Sequence, residues 1–175
     1  RSADHRQRPI WSPDRRRTDR RRPVYLCTSK VGRFPRNYRG KDILYWGIQS
    51  GLLNHTVANL EDPNMQFMTQ PQVSGTRGGH TVTLQQLAGQ GVNLLGGLKG
   101  ASGDRLLFRK GLKDNWDLGD ASSQRIKDMI DGYIAKAEID APPAEADPVE
   151  ALNPGMLAGL ADSLDLKQAG INTII

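Results

Sequence analysis

The chain is poor in the residues that build covalent and metal-held sites. It has one cysteine, Cys27. An internal disulfide is excluded, and a reducing, cytoplasmic setting is the expectation. Cys27 falls inside a strand candidate, where a thiol serves packing rather than nucleophilic chemistry. The histidines, His5, His55 and His80, are scattered, so no metal-ligand spacing exists. Aromatic residues make up 6% of the chain. No apolar run approaches the ~20 residues of a membrane span. The charged first residues hold no apolar stretch, so no secretory leader is expected. Neither a GxGxxG nor a Walker-type phosphate loop occurs.

Positive charge is present but unevenly placed. The net charge is +5, yet residues 1–22 carry nine arginines and three aspartates, which is +6. The remaining 153 residues therefore carry 5 − 6 = −1. The body of the protein is not basic. The arm has Trp11 as its one aromatic, so electrostatic nucleic-acid binding through it is the lesser alternative. Low apolar content and two prolines predict a disordered arm over 1–22.

The 175 residues suffice for one domain with a core. Residues 24–27 (VYLC) read as a buried strand ending in Thr28-Ser29-Lys30. Arg33, Arg36, Arg39 and Lys41 follow closely. Ligands of α/β proteins sit at the carboxyl ends of strands, and hydroxyls with cations suit a phosphate. A solvated basic loop has the same composition, and both readings stay open on spacing alone. Residues 42–53 place Ile43, Trp46 and Ile48 at helical spacing, and Tyr45 and Trp46 are assigned to the core. A short helix or turn is expected over 56–60 and a loop over 70–79. A further helix begins over 83–87, with Thr81 or Thr83 as its cap, and ends at 89–91. Residues 92–98 and 105–108 flank a turn over 99–104, a hairpin signal. The longest helical pattern runs over 122–139. The run 114–120 (DNWDLGD) has spaced acids but lacks the terminal glutamate of a calcium loop, and reads as a polar turn. His80 beside Gly78-Gly79 reads as a satisfied loop histidine. Residues 141–154 read as a connector and 170–175 as a final apolar strand. A first residue that is not Met and a last strand without a cover suggest that both ends are cut.

From Pro23 onward the chain resembles one family. The matching text is VYLCTSKVGRFPRNYRGKDILYWG, DPNMQF, GGHTVTLQQLAGQGVNLLGGLKGASGDRLLF, RIKDMIDGYI, DAPP and LKQAGINTII. It is similar to the FAD-dependent, NAD(P)H-linked oxidoreductases of the flavin monooxygenase-like group, also described as flavoproteins related to cation transport. The resemblance implies an α/β, Rossmann-like NADP-binding domain with an antiparallel hairpin insertion, incomplete at both ends and covering residues 23–175. It implies NADP and FAD as cofactors of the intact parent, with NADPH-driven flavin reduction and oxygenation of a small-molecule substrate. It implies Ser29, Lys30 and Arg33 as the residues recognising the 2′-phosphate of NADP. The family's two dinucleotide motifs and its Trp-Ala-Thr-Gly motif are missing here. The chain alone is therefore expected to be inactive and to bind cofactor weakly; a non-catalytic remnant is the other alternative.

The arm offers a reason for the missing loop. Residues 6–18 can be back-translated so that the next reading frame, continued into Asp19, encodes Gly-Ser-Gly-Gln-Ser-Gly-Leu-Gln-Ile-Ala-Glu-Glu-Leu. That is a dinucleotide fingerprint with its helix. The expectation is that residues 1–22 are an out-of-frame translation of it. Coding DNA whose shifted frame lacks GxGxxG there contradicts the idea.

Overall fold

The computed structural model describes residues 22–60, 62–67, 71–150 and 161–175. The arm over 1–21 and the connector's end over 151–154 lie outside the described residues.

Strand β1 (Tyr25–Cys27) forms where the sequence places it. It pairs in parallel with β4 (Asn93–Leu95), Tyr25 opposite Asn93 and Cys27 opposite Leu95. Among the described residues β1 has this one neighbour. It is therefore not the buried strand expected: Leu26 keeps 37% of its surface exposed. Cys27 is exposed as well, although partial desolvation of its sulfur raises the thiol's pKa. The thiol form is thereby favoured over the nucleophilic thiolate.

Between these strands the chain makes a two-residue antiparallel pair, β2 (Asn37–Tyr38) and β3 (Lys41–Asp42), closed by Arg39 and Gly40 at positive φ. Helix α1 (Ile43–Gln49) follows at once, because the Asp42 carboxylate accepts a hydrogen bond from the Leu44 amide, 2.9 Å away. The helix is shorter than the 42–53 pattern. Gly51 at φ 80° ends it, and Leu52–Asn54 continues as a 3-10 turn. A second 3-10 turn, Val57–Asn59, carries a Thr56/Asn59 capping box. Helix α2 (Leu84–Gly89) starts at Thr83, whose hydroxyl accepts from the Gln86 amide.

The hairpin exists but its arms are shifted. Residues 93–95 belong to β1's sheet. The hairpin is β5 (Leu98–Ser102) with β6 (Arg105–Phe108), joined by Gly103-Asp104. Gly103 takes φ 58°, which a two-residue hairpin turn requires of its first central residue. Gly96 explains the break between β4 and β5: a Cβ there would lie 2.0 Å from the Arg109 carbonyl oxygen. Gly96→Ala must displace backbone, so a loss of about 1–3 kcal/mol is expected, as for overpacked cores. Urea denaturation measures it, and an unchanged midpoint contradicts the reading.

Strand β7 (Ser163–Asp165) adds to the hairpin antiparallel to β6. The final apolar strand expected over 170–175 does not form. That segment pairs with no strand among the described residues, and Ile174 is 71% exposed. A strand needs a neighbour to bond its backbone, and hydrophobicity alone did not supply one.

Helix α3 (Leu112–Lys136) starts ten residues before the expected position. Its buried stripe is Leu112, Asn115, Trp116, Gly119, Ser123, Ile126 and Ile130, an i, i+3, i+4, i+7 pattern. The acids of 114–120 misled because Asp114 and Asp117 point outward, while Asn115 and Trp116 face in. The polar turn was the exposed side of a helix. The main core joins Ile126 and Ile130 of α3 to Tyr38, Ile43 and Trp46. Tyr45, assigned to the core with Trp46, is 41% exposed and stands under the Lys41 ammonium. Among the described residues the fold is thus mixed helix and sheet, with one parallel pair of strands and short antiparallel sheets.

Candidate functional site

The carboxyl end of β1 opens onto a cleft of about 190 Å³, lined in part by Thr28, Ser29, Gly32, Gln85, Asn115 and Trp116. Polar bonds hold its floor. The Thr28 amide and hydroxyl both donate to the Leu95 carbonyl, at 2.9 and 2.8 Å. Asn115 Nδ2 donates to Thr28 Oγ1 at 2.9 Å, tying the end of β1 to α3. The Thr28 hydroxyl is therefore used internally. Ser29 and Lys30 are the first residues of the turn that stand exposed.

The turn then dives against α3. Ser122 Oγ accepts from the Arg33 amide and donates to the Arg33 carbonyl, both at 2.9 Å. Gly32 is required for this approach, since a Cβ there would lie 2.6 Å from Ser122 Oγ. Gln72 bonds to both flanks of Arg33, donating to the Gly32 carbonyl and accepting from the Phe34 amide.

The three residues expected to meet a phosphate separate at this point. Ser29 is exposed and lines the cleft, whereas Lys30 is exposed beside it and is not part of the lining. Arg33 is 7% exposed, and its guanidinium pairs with Asp120 and, at 3.3 Å, with Glu150 Oε1. Gly119 makes room for it: a Cβ there would sit 3.1 Å from Arg33 Nη1. Gln85 Nε2 donates to both oxygens of Asp120, at 2.9 and 3.2 Å.

Glu150 ends a 3-10 turn, Pro148–Glu150, and accepts from Ser123 Oγ at 2.6 Å and from the Lys127 ammonium. Burial alone would raise its carboxyl pKa. The hydrogen bonds from Lys127 and Ser123 and the charges of Lys127 and Arg33 outweigh burial, and the pKa is lowered. A depressed carboxylate stabilises its docked position above the unfolded pKa and loses that contribution as pH falls through the folded one. The Glu150 carboxylate is thus ionised in its docked position at neutral pH. Its release, followed by the NMR shifts of Ser123 and Val149, has its midpoint below the ordinary glutamate value of about 4.3. A midpoint at or above that value contradicts the assignment.

Sequence reasoning did not find Gln85, Asn115, Asp120, Lys127 or Glu150. The usable signal was the helical stripe beginning at Leu112, which would have turned Asn115 and Gly119 inward. His80 lies in its loop, with Nδ1 3.4 Å from the Thr76 carbonyl oxygen. Among the described residues no group of histidine, cysteine and carboxylate side chains is placed to hold a metal ion. Among them, no helix is long and apolar enough to cross a membrane. Comparison with protein-family models, curated proteins and solved structures finds no match.

Proposed function

We propose that this chain is the larger part of an NADP-binding unit of a flavin-dependent NADPH oxidoreductase, of the flavin monooxygenase-like kind. The finer fold assignment is Rossmann-like. The observation that carries the reading is the parallel β1–β4 pair with a hydroxyl- and cation-bearing turn over a cleft at its carboxyl end. That is where doubly wound sheets receive nucleotides.

The residues fit one part of the cofactor. Ser29 on the cleft lining and the exposed Lys30 next to it in the chain would meet a 2′-phosphate, and Arg33 holds their turn against α3. They do not fit the pyrophosphate. No GxGxxG precedes a helix in the described residues, and α2 begins with its Gln86 amide already bonded to Thr83. Nor does a cleft of about 190 Å³ enclose a whole dinucleotide, given that sites for drug-sized ligands span roughly 300–1,000 Å³. No residue set for FAD is identifiable among the described residues. In the intact parent, NADPH would supply the hydride that reduces the flavin for oxygenation of a small substrate. The residues of this chain would bind and orient the adenosine end, and the chain alone would not turn over.

The test is an equilibrium titration of the 175-residue chain with NADPH. Binding is expected near a dissociation constant of about 1 mM, or −4 kcal/mol. Lys30→Ala weakens it further without altering the thermal midpoint. Micromolar affinity, or affinity indifferent to Lys30→Ala, contradicts the proposal.

A further inference from the structure

Arg33 also lines a second, more open recess of about 200 Å³, together with Asp120, Ser123, Gln124, Lys127 and Glu150. Within it, an arginine, a serine hydroxyl and a lysine converge on one carboxylate, that of Glu150. These are the donor types that hold phosphate oxygens. The carboxylate arrives on the short 3-10 turn Pro148–Glu150, which lies against α2. None of residues 147–150 is buried. Side-chain bonds hold them: Thr81 Oγ1 to Asp147 at 2.6 Å, Thr83 Oγ1 to the Val149 carbonyl at 2.8 Å, and the contacts of Glu150.

The charges make the segment exchangeable. With Glu150 in place, Arg33 and Lys127 balance Asp120 and Glu150. With Glu150 withdrawn, Asp120 still orients Arg33, and Gln85 still orients Asp120. One positive charge is then uncompensated beside a hydroxyl, in a cavity large enough for a tetrahedral anion.

We infer that Arg33, Ser123 and Lys127 form a phosphate site, that Glu150 occupies it as an internal competitor, and that a phosphate anion displaces the 147–150 strap. The site is separate from the cleft mouth and makes no use of Ser29 or Lys30. It therefore does not rest on the NADP reading.

The experiment titrates inorganic phosphate into the full chain at ionic strength matched with sodium chloride. A tethered carboxylate competes at an effective concentration of order millimolar, so Glu150→Ala is expected to tighten phosphate binding about tenfold. Adding Lys127→Met to that variant abolishes the gain, whereas adding Ser29→Ala and Lys30→Ala leaves it. A folded Glu150→Ala chain with no gain overturns the proposal, as does a gain that survives Lys127→Met. Should Glu150→Ala not fold, the unaltered chain decides. Phosphate, but not chloride, should speed hydrogen exchange of the Val149 amide, which donates to Asp147 Oδ1 within the strap. Equal exchange rates in the two salts overturn the proposal.

Discussion

Arg33→Met is expected to destabilise the chain by about 3 kcal/mol, the lower end of the range for breaking a buried ion pair. Two carboxylates then lose their shared partner. Asp120 and Glu150 have side-chain exposures of 29% and 16%, so each keeps a little solvent and the upper end of the range is not reached. Gln85 continues to bond Asp120, and Ser123 and Lys127 continue to bond Glu150, which limits the loss further. Urea denaturation reads the effect. Lys30→Met, three positions earlier and exposed, leaves the midpoint where it is. That contrast separates an arginine that builds the fold from a lysine that faces solvent. An Arg33→Met chain as stable as the parent would show the ion pairs to be dispensable.

Trp46→Ala is the other large effect, about 3–5 kcal/mol, as for an aromatic removed from a core. The indole is 2% exposed and packs edge-on to Tyr45, with ring centroids 5.2 Å apart. It also bridges two elements, because its Nε1 donates to the Tyr38 carbonyl at 2.7 Å. Truncation leaves a cavity between α1 and α3 and strands that carbonyl. Trp46→Phe keeps most of the ring volume and loses the hydrogen bond, so it costs about 1–3 kcal/mol. Thermal melts of the pair divide the packing contribution from the polar one. Equal losses in both variants would assign the whole effect to the hydrogen bond.

What could be read from the sequence was local. The β-branched and aromatic run at β1, the helical spacing of Ile43 and Trp46 in α1 and the threonine cap of α2, left between Thr81 and Thr83, each depend on residues a few positions apart. The C-terminal half of α3 was legible for the same reason, since Ile126 and Ile130 repeat at helical spacing. Its first turns were not, because Asp114, Asp117 and Asp120 dominate the composition while Asn115 and Trp116 carry the buried face. The hairpin was legible as a pair of strands, but its register depended on Gly96 passing the Arg109 backbone. The segment over 170–175 reads as a strand on composition alone, yet composition cannot provide a neighbouring backbone. Arg33 shows the limit most clearly. Its position after a strand, among hydroxyls and cations, suits a phosphate, but its partner Glu150 lies 117 residues away. Nothing within the turn signals that the guanidinium is already paired. Ser29 and Lys30 carry the exposed part of that expectation.

The account rests on the carboxyl end of β1 being a 2′-phosphate site. The most direct measurement is a paired NMR titration of the full chain with NADPH and NADH, which differ only in that phosphate. NADPH is expected to shift the amides of Ser29, Lys30 and Val31 with an affinity about tenfold above that for NADH, the worth of a charge-assisted contact. Identical shifts and affinities for the two, or shifts that avoid the turn after β1, would contradict it.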